Sequence, residues 1–142
     1  MILLDTNVIV DATDNASPFK AWANTVIENA IADDGPGAAI NAVTLAELCA
    51  ASGVNENEVA GMLIDWGITI LPVPPDCVAA CGRAYRNYRE NRKSSSGKDS
   101  PKTPLPDFFI GAHALSAKLD LATNDKGRFK TYFPTVNLIT LS

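Results

Sequence analysis

The chain begins with three apolar residues, Ile2-Leu3-Leu4, that lead directly into an acid, Asp5. A strand that is apolar on both faces belongs in the interior of a parallel sheet. In open α/β sheets, ligands bind beyond the carboxyl ends of the strands. Asp5 is therefore placed where we expect chemistry, although an Asp standing alone here could equally be the N-cap of the next helix.

The rest of the chain alternates segments with helical and strand-like patterns. We predict further strands at 38–41, 68–71, 121–122 and 136–141, and helices at 6–13, 17–32 (with Ser17 as N-cap), 43–52, 55–66, 76–92, 107–118 and 126–132. This alternation predicts an α/β protein, a three-layer α/β/α sandwich with a central, mainly parallel sheet of four to five strands. Residues 1–142 are expected to form a single domain, with a mobile basic loop at 93–106.

The composition excludes several classes of protein. No apolar run approaches the ~18 residues of a membrane span, and the N-terminus does not resemble a signal peptide, so a cytoplasmic protein without membrane contact is expected. Cys49, Cys77 and Cys81 form no C-x-x-C pair, and His113 is the only histidine. A zinc site is therefore disfavoured, and the cysteines are expected to be buried free thiols. We place His113 at the surface or at the edge of the core.

Four acids follow strands or begin helices: Asp5, Glu47, Asp107 and Asp125. Because the carboxyl ends of parallel strands share one edge of the sheet, these side chains are expected to converge. Converging carboxylates without a matching Lys or Arg repel one another, and a divalent cation would relieve that repulsion. Oxygen ligands without Cys or His select Mg²⁺ or Mn²⁺, which serve phosphate chemistry.

Each acid also has an alternative interpretation when taken singly. Glu47 could be a solvated helix residue, Asp107 a helix N-cap, and Asp125 part of a turn in Asn124-Asp125-Lys126-Gly127. The order of the four acids along the chain favours the functional interpretation.

Four segments that contain these acids resemble the PIN domain, and more narrowly the VapC-type toxins of toxin–antitoxin pairs. The segments are Leu4-Asp5-Thr6-Asn7, Thr44-Leu45-Ala46-Glu47-Leu48, Pro106-Asp107-Phe108-Phe109-Ile110-Gly111-Ala112 and Leu121-Ala122-Thr123-Asn124-Asp125. The resemblance covers the whole chain and implies a metal-dependent endoribonuclease that uses the four acids. The Lys/Ser-rich insertion before Asp107 departs from the family pattern.

The resemblance also suggests roles for individual residues. Asp5 and Asp107 are assigned as the principal Mg²⁺ ligands, with Mn²⁺ as a substitute. Asp125 would bind a second ion or hold metal-bound water, and Glu47 would orient or deprotonate the water that hydrolyses the RNA phosphodiester. Hydrogen bonds to these carboxylates are expected from Thr6, Asn7 and Thr123.

The net charge of −4 conceals a basic segment at 83–102, where seven Lys and Arg residues accompany two acids. An acidic catalytic centre must still attract a polyanion, so this segment is the candidate RNA-binding surface. The predicted contacts are Arg83, Arg86, Arg89, Arg92 and Lys93, with Tyr85 and Tyr88 stacking on bases. The alternative is a solvated helix face followed by a disordered loop.

A toxin of this kind requires a cognate antitoxin, and a homodimer is also expected. We place the antitoxin helix in a groove between the second and fourth helices, lined by Trp22, Val26, Ile27, Val59, Met62, Leu63 and Trp66. These residues could instead be core. Two further alternatives stay open for the function: a haloacid-dehalogenase-like phosphatase, whose second acid would stand where this chain has Asn7, and a non-catalytic PIN-like protein-binding module.

Overall fold

The computed structural model describes residues 1–51, 53–96 and 105–141. Strands β1 to β5 comprise Ile2–Leu4, Ala38–Asn41, Ile68–Leu71, Asp120–Ala122 and Leu138–Ile139. Helices α1 to α7 comprise Thr6–Thr13, Lys20–Ile31, Ala42–Cys49, Glu56–Asp65, Val78–Ser96, Leu105–Ala117 and Lys126–Tyr132. A single turn of 3₁₀ helix, Pro75–Cys77, leads into α5.

The five strands form one sheet in the order β3-β2-β1-β4-β5, and every neighbouring pair is parallel. The predicted α/β architecture with a parallel central sheet is thereby confirmed. From β1 in the centre, the chain first builds β2 and β3 on one side and then β4 and β5 on the other. The order therefore reverses between β1 and β4, which is where α/β sheets usually bind their ligands.

The sheet separates two hydrophobic cores, because successive residues of a strand face opposite sides. Leu4 packs with α1, α2 and α4 on one side, whereas Leu3 packs with α5, α6 and α7 on the other. Both leucines are fully buried, as are their neighbours Leu121 in β4 and Ile40 in β2. Burial on both faces explains why these strands are apolar without alternation.

Two element boundaries differ from the sequence prediction for identifiable reasons. Helix α2 begins at Lys20, because the Ser17 hydroxyl is engaged in a turn: it accepts from the backbone N–H of Phe19 at 3.0 Å and donates to Asp11 at 2.9 Å. Helix α3 ends at Cys49, three residues earlier than predicted. Its C-terminal turn continues into Ala50, whose N–H bonds back to Ala46.

The predicted loop at 93–106 is shorter in the structure. Helix α5 continues through 93–96, and α6 begins at Leu105, two residues before Asp107. The remaining part of the predicted loop, residues 97–104, lies outside the described residues, and so does its predicted mobility.

Most residues of the predicted antitoxin groove belong to the core. Val26, Ile27, Val59 and Leu63 are buried between α2, α4 and the sheet, with Trp22 and Trp66 packed against them. Met62 is the exception and is 41% exposed. For the four aliphatic side chains, the structure supports the alternative that these residues are core.

The cysteines are free thiols, as the sequence predicts. All three thiols are free, with Cys77 and Cys81 buried and Cys49 half-buried. Burial raises the pKa of the Cys81 thiol to about 11, so this side chain is an inert apolar group. Within the described ranges, no helix has both the length and the hydropathy required to span a bilayer.

Candidate active site

Asp5 lies at the carboxyl end of the central strand and is almost fully buried, with 2% of its surface exposed. Its Oδ2 atom accepts hydrogen bonds from Asn7 Nδ2 and from the Thr123 hydroxyl, both at 2.8 Å. Although Asp5 occupies the N-cap position of α1, its side chain makes no capping hydrogen bond. The helix-cap interpretation of Asp5 therefore has no support in the structure.

Glu47 lies in the last turn of α3, the helix that follows β2. Its Oε1 atom accepts a hydrogen bond of 2.7 Å from the Thr6 hydroxyl, which belongs to the first turn of α1. Thr6 Oγ1 also lies 3.2 Å from the hydroxyl of Thr44, a buried residue of α3. The Glu47 side chain is therefore oriented by contacts within the fold and does not extend freely into solvent.

Asp107 and Asp125 are joined by an arginine that the sequence analysis did not identify. Nη1 of Arg128 donates to Asp107 Oδ2 at 2.7 Å, and Nη2 lies 3.1 Å from Asp125 Oδ2. The expectation that the acids have no matching cation is therefore wrong. The signal was present in the sequence, because Arg128 follows Asp125 by three residues in a predicted helix, a spacing that brings side chains together.

Electrostatic interactions connect the four carboxylates. Desolvation raises the pKa of Asp5 to about 6, and the charge of Asp107 adds to that effect, while Thr123 and Arg128 oppose it. Burial also raises the pKa of Asp107; Arg128 lowers it, and the negative charges of Glu47 and Asp125 raise it. The charge of Asp107 thus raises the pKa of Asp5, and the charges of Glu47 and Asp125 raise the pKa of Asp107.

A second set of polar side chains supports the carboxylates from behind. Asn7 donates to Asp5 and accepts, through Oδ1, the backbone N–H of Asn124 at 3.2 Å. The side-chain amide of Asn124 in turn donates to Asp11 Oδ2, and the other oxygen of Asp11 holds Ser17. Sequence reasoning assigned no role to Asp11 or Asn124. The available signal was the spacing of Asn7 and Asp11, one helical turn apart on α1.

His113 is buried, with 2% of its surface exposed, which corrects the prediction of a surface or core-edge position. Its Nδ1 atom lies 3.3 Å from Nδ2 of Asn41, and Asn41 Oδ1 accepts from the N–H of Thr44 to cap α3. Because an amide NH₂ group can only donate, Nδ1 is the acceptor and the ring is neutral. Burial lowers the pKa of His113, which favours this neutral form.

The donor set suits a hard divalent cation, because it consists of carboxylates with hydroxyl and amide oxygens nearby. Its spacing does not: among the described residues, no three His, Cys, Asp or Glu side chains are grouped so that they could hold a metal ion. The guanidinium of Arg128 contacts both Asp107 and Asp125. The residues therefore fit Mg²⁺ or Mn²⁺ in chemistry, while Arg128 occupies one oxygen each of Asp107 and Asp125.

The predicted RNA-contacting residues lie on α5, next to the Asp107 end of α6. Arg83, Arg86, Arg89 and Lys93 are exposed, and Arg92 is half-buried. The tyrosines have a different role from the predicted base stacking. Tyr85 and Tyr88 both lie 5.3 Å from the ring of Phe108, measured between centroids, so they pack α5 against α6.

Comparisons with known proteins agree with this architecture. The structure is similar to FitAcB from Neisseria gonorrhoeae, with 25% sequence identity, a TM-score of 0.60 and coverage of 98% of this chain and 96% of that chain. VapBC2 from Rickettsia felis, bound to a DNA fragment from its promoter, gives 20% identity, a TM-score of 0.64 and complete coverage of both chains. VapC20 from Mycobacterium tuberculosis is described as a sarcin–ricin loop cleaving toxin. It gives 14% sequence identity, a TM-score of 0.59 and coverage of 92% of this chain and 94% of that chain.

Among curated proteins, none matches this sequence. The family model of the PIN domain matches residues 2–133, which include all four acids and the whole parallel sheet apart from β5. The chain therefore belongs to the PIN domain family.

Proposed function

We propose that this protein is a Mg²⁺-dependent endoribonuclease and the toxin of a type II toxin–antitoxin pair. The observation that supports the proposal is the electrostatic interaction of four acids from four separate segments, with Asp5 almost fully buried at the carboxyl end of the central strand. A buried carboxylate beside other carboxylates is costly for stability, and such an arrangement is typical of functional sites. The PIN family membership supports a nuclease in particular.

The residues that would hold a divalent cation are Asp5 and Asp107, with Asp125 beside them. A bound Mg²⁺ or Mn²⁺ would supply charge stabilisation at the scissile phosphate and lower the pKa of a water molecule. Asp5 is suited to a fixed ligand, because two hydrogen bonds to its Oδ2 atom hold the carboxylate in one orientation. Asp107 lies in the first turn of α6, and its charge acts on Asp5.

Glu47 is suited to accept a proton from the attacking water. The Thr6 hydroxyl donates to one carboxylate oxygen, Oε1, and so directs the Glu47 side chain towards Asp107, whose pKa responds to the Glu47 charge. Thr6 thereby acts as a positioning residue for Glu47. Asn7 and Thr123 act in the same way on Asp5.

The substrate is proposed to be RNA, bound through the basic face of α5. Phe108 follows Asp107 directly and contacts both tyrosines of α5, so the packing that fixes Asp107 also fixes the basic helix beside it. Exposed arginines there can bind phosphates on either side of the bond to be cleaved. VapC20, one of the similar structures, is described as a sarcin–ricin loop cleaving toxin, which is consistent with this substrate class.

The proposed protein partner is a cognate antitoxin, as the similar structures of toxin–antitoxin complexes suggest. A groove of about 340 Å³ lies beside α1, α2 and the end of α4, and its walls include Ile27, Ile31 and Trp66. Of the residues that the sequence predicts to line the antitoxin groove, this groove includes Ile27 and Trp66. A homodimer remains part of the proposal.

The experiment that tests the function is incubation of the purified protein with total RNA in the presence of Mg²⁺, Mn²⁺ or EDTA. We expect discrete cleavage products with either metal, none with EDTA, and none with Asp5→Asn or Asp107→Asn. Hydrolysis of a phosphomonoester such as p-nitrophenyl phosphate by the wild type, without RNA cleavage, would instead indicate a phosphatase. Inactivity on both substrates with retained antitoxin binding would indicate a protein-binding module.

A further inference from the structure

Arg128 bridges two acids that come from different parts of the chain. Each acid contacts a separate nitrogen of one planar guanidinium: Asp107 contacts Nη1 at 2.7 Å and Asp125 contacts Nη2 at 3.1 Å. Asp107 belongs to α6 and Asp125 precedes α7, so Arg128, which lies on α7, connects α6 to the start of α7. A cation supplied by the protein itself thus partly neutralises the acidic cluster.

The position of this guanidinium excludes a metal ion from the same two carboxylate oxygens, Oδ2 of Asp107 and Oδ2 of Asp125. Mg²⁺ requires oxygen ligands at about 2.1 Å, a distance that leaves no room for a guanidinium between the ion and those oxygens. If the ion used the other carboxylate oxygens while the ion pairs were intact, the positive charge of Arg128 would lie within a few ångströms of the ion and would repel it. Metal binding and the Arg128 ion pairs therefore oppose each other.

Arg128 is also able to leave. Its side chain is 24% exposed and Asp125 is 43% exposed, so the ion pair lies at the surface of the cluster. Rotation of the long side chain would return the guanidinium to water. By contrast, Asp5 is held from within the fold by Asn7 and Thr123 and has no such freedom.

We propose that Arg128 is an internal competitor for the divalent cation, which pairs with Asp107 and Asp125 and thereby sets the metal concentration at which the site is filled. This inference rests on the proposed metal-dependent function, but it concerns affinity for the ion and not the cleavage step. In this proposal, the positive charge of Arg128 lowers the affinity of the acidic site for divalent cations.

The test is isothermal titration with Mn²⁺ of the wild type, Arg128→Gln and Arg128→Lys. Arg128→Gln removes the charge and should bind Mn²⁺ about tenfold more tightly. Arg128→Lys keeps a positive charge and should bind as the wild type does. The matched control is Lys130→Gln, which removes one exposed charge from the same short helix and should leave the affinity unchanged.

A second measurement compares the melting temperatures of the wild type and Arg128→Gln with and without Mn²⁺. Arg128→Gln should melt at a lower temperature than the wild type without metal, because it leaves Asp107 and Asp125 unpaired, and it should gain more from added Mn²⁺. Equal or weaker Mn²⁺ affinity in Arg128→Gln would overturn the inference, since Arg128 would then organise the ligands instead of competing with the ion. Tighter Mn²⁺ binding without any RNA cleavage would support the inference and reject the nuclease.

Discussion

The Thr123 hydroxyl donates to Asp5 Oδ2 at 2.8 Å across the gap between β1 and β4. The two residues are 118 positions apart and meet because the strand order reverses between their strands. Thr123 Oγ1 also accepts the backbone N–H of Asp125 at 3.0 Å. One buried hydroxyl therefore links two of the four acids, and the link depends entirely on the topology of the sheet.

Thr123→Val tests that link, because valine has nearly the same shape and lacks the hydroxyl. The buried Asp5 would lose one of two hydrogen bonds to Oδ2, and the N–H of Asp125 would lose its acceptor. We expect RNA cleavage to fall about 10- to 100-fold, as for other groups that orient metal ligands. Thr123→Ser restores the hydroxyl and should recover most of the rate, whereas a loss of equal size in both variants would mean that packing matters and the hydrogen bond does not.

Asp5→Asn should abolish cleavage and leave the metal-free protein equally or more stable. The substitution removes a buried negative charge whose pKa is raised to about 6 by desolvation and by Asp107. Melting temperatures without metal would report the stability, and Mg²⁺ should raise that of the wild type far more than that of the variant. A fall of several degrees in the metal-free variant would contradict this prediction and would mean that the hydrogen bonds from Asn7 and Thr123 to Asp5 stabilise the fold more than the buried charge destabilises it.

The pH dependence of stability should also carry the signature of Asp5. Its folded pKa of about 6 lies above the ordinary value of 3.8, so the folded protein binds the proton more strongly than the unfolded chain does. This contribution is fully present below pH 3.8 and is lost as the pH rises through about 6. In EDTA, the difference in unfolding free energy between wild type and Asp5→Asn should change across that interval and be flat above pH 7.

His113 should contribute with the opposite sign. Its pKa is lowered by burial, against the opposing charge of Asp76, so protonation favours the unfolded chain. The stability that depends on the neutral ring is present above the ordinary pKa of 6.5 and is lost as the pH falls through the lowered value. Urea unfolding of His113→Asn, which cannot titrate, should lack this acid-side loss; an unchanged profile would contradict the assignment.

The positions of the acids on strands and helices could be predicted from the sequence, because apolar strands and their flanking residues are local patterns. Asp5 after Ile2–Leu4 and the start of α7 directly after Asp125 are examples. In a parallel sheet, residues that follow the strands are expected at the edge where the carboxyl ends of the strands lie. The prediction needed only the periodicity of the segments and the rule for parallel sheets.

The contacts between distant segments could not be predicted in this way. Nothing local indicates that Asn41 pairs with His113, or that Asn124 holds Asp11. Such pairs depend on how helices pack on the sheet, and that packing is decided by side-chain volume across the whole core. For the same reason, the sequence did not show that the aliphatic residues of α2 and α4 predicted to line a groove are buried in the core.

Gly111 provides a test of that packing near the site. A Cβ atom at this position would lie 2.3 Å from the Phe133 ring, so α6 can approach this ring only with glycine. Gly111→Ala should destabilise the protein by about 2–3 kcal/mol, as overpacked core substitutions do. The matched control is Gly61→Ala in α4, where a Cβ meets nothing within 4 Å and should stabilise the helix by about 1 kcal/mol.

The last prediction concerns the basic face of α5. Replacing Arg86, Arg89 and Lys93 with Ala should weaken RNA binding and reduce its dependence on salt, because each lost phosphate contact lowers the slope of log K against log[salt] by about 0.7 for single strands. Mn²⁺ affinity should stay unchanged, since these side chains lie on α5 and the acids on other elements. Filter binding with an inactive Asp5→Asn background measures RNA affinity without cleavage.

The matched control for this variant is Lys118→Gln, which removes an exposed positive charge beside β4 at the opposite end of the sheet from Asp5. It should change neither the affinity nor the salt slope. If the triple variant also binds with the wild-type slope, the arginines of α5 are a solvated helix face, and the RNA must approach the acids from another side. A reduced slope in the triple variant alone would locate the path of the RNA between α5 and Asp107.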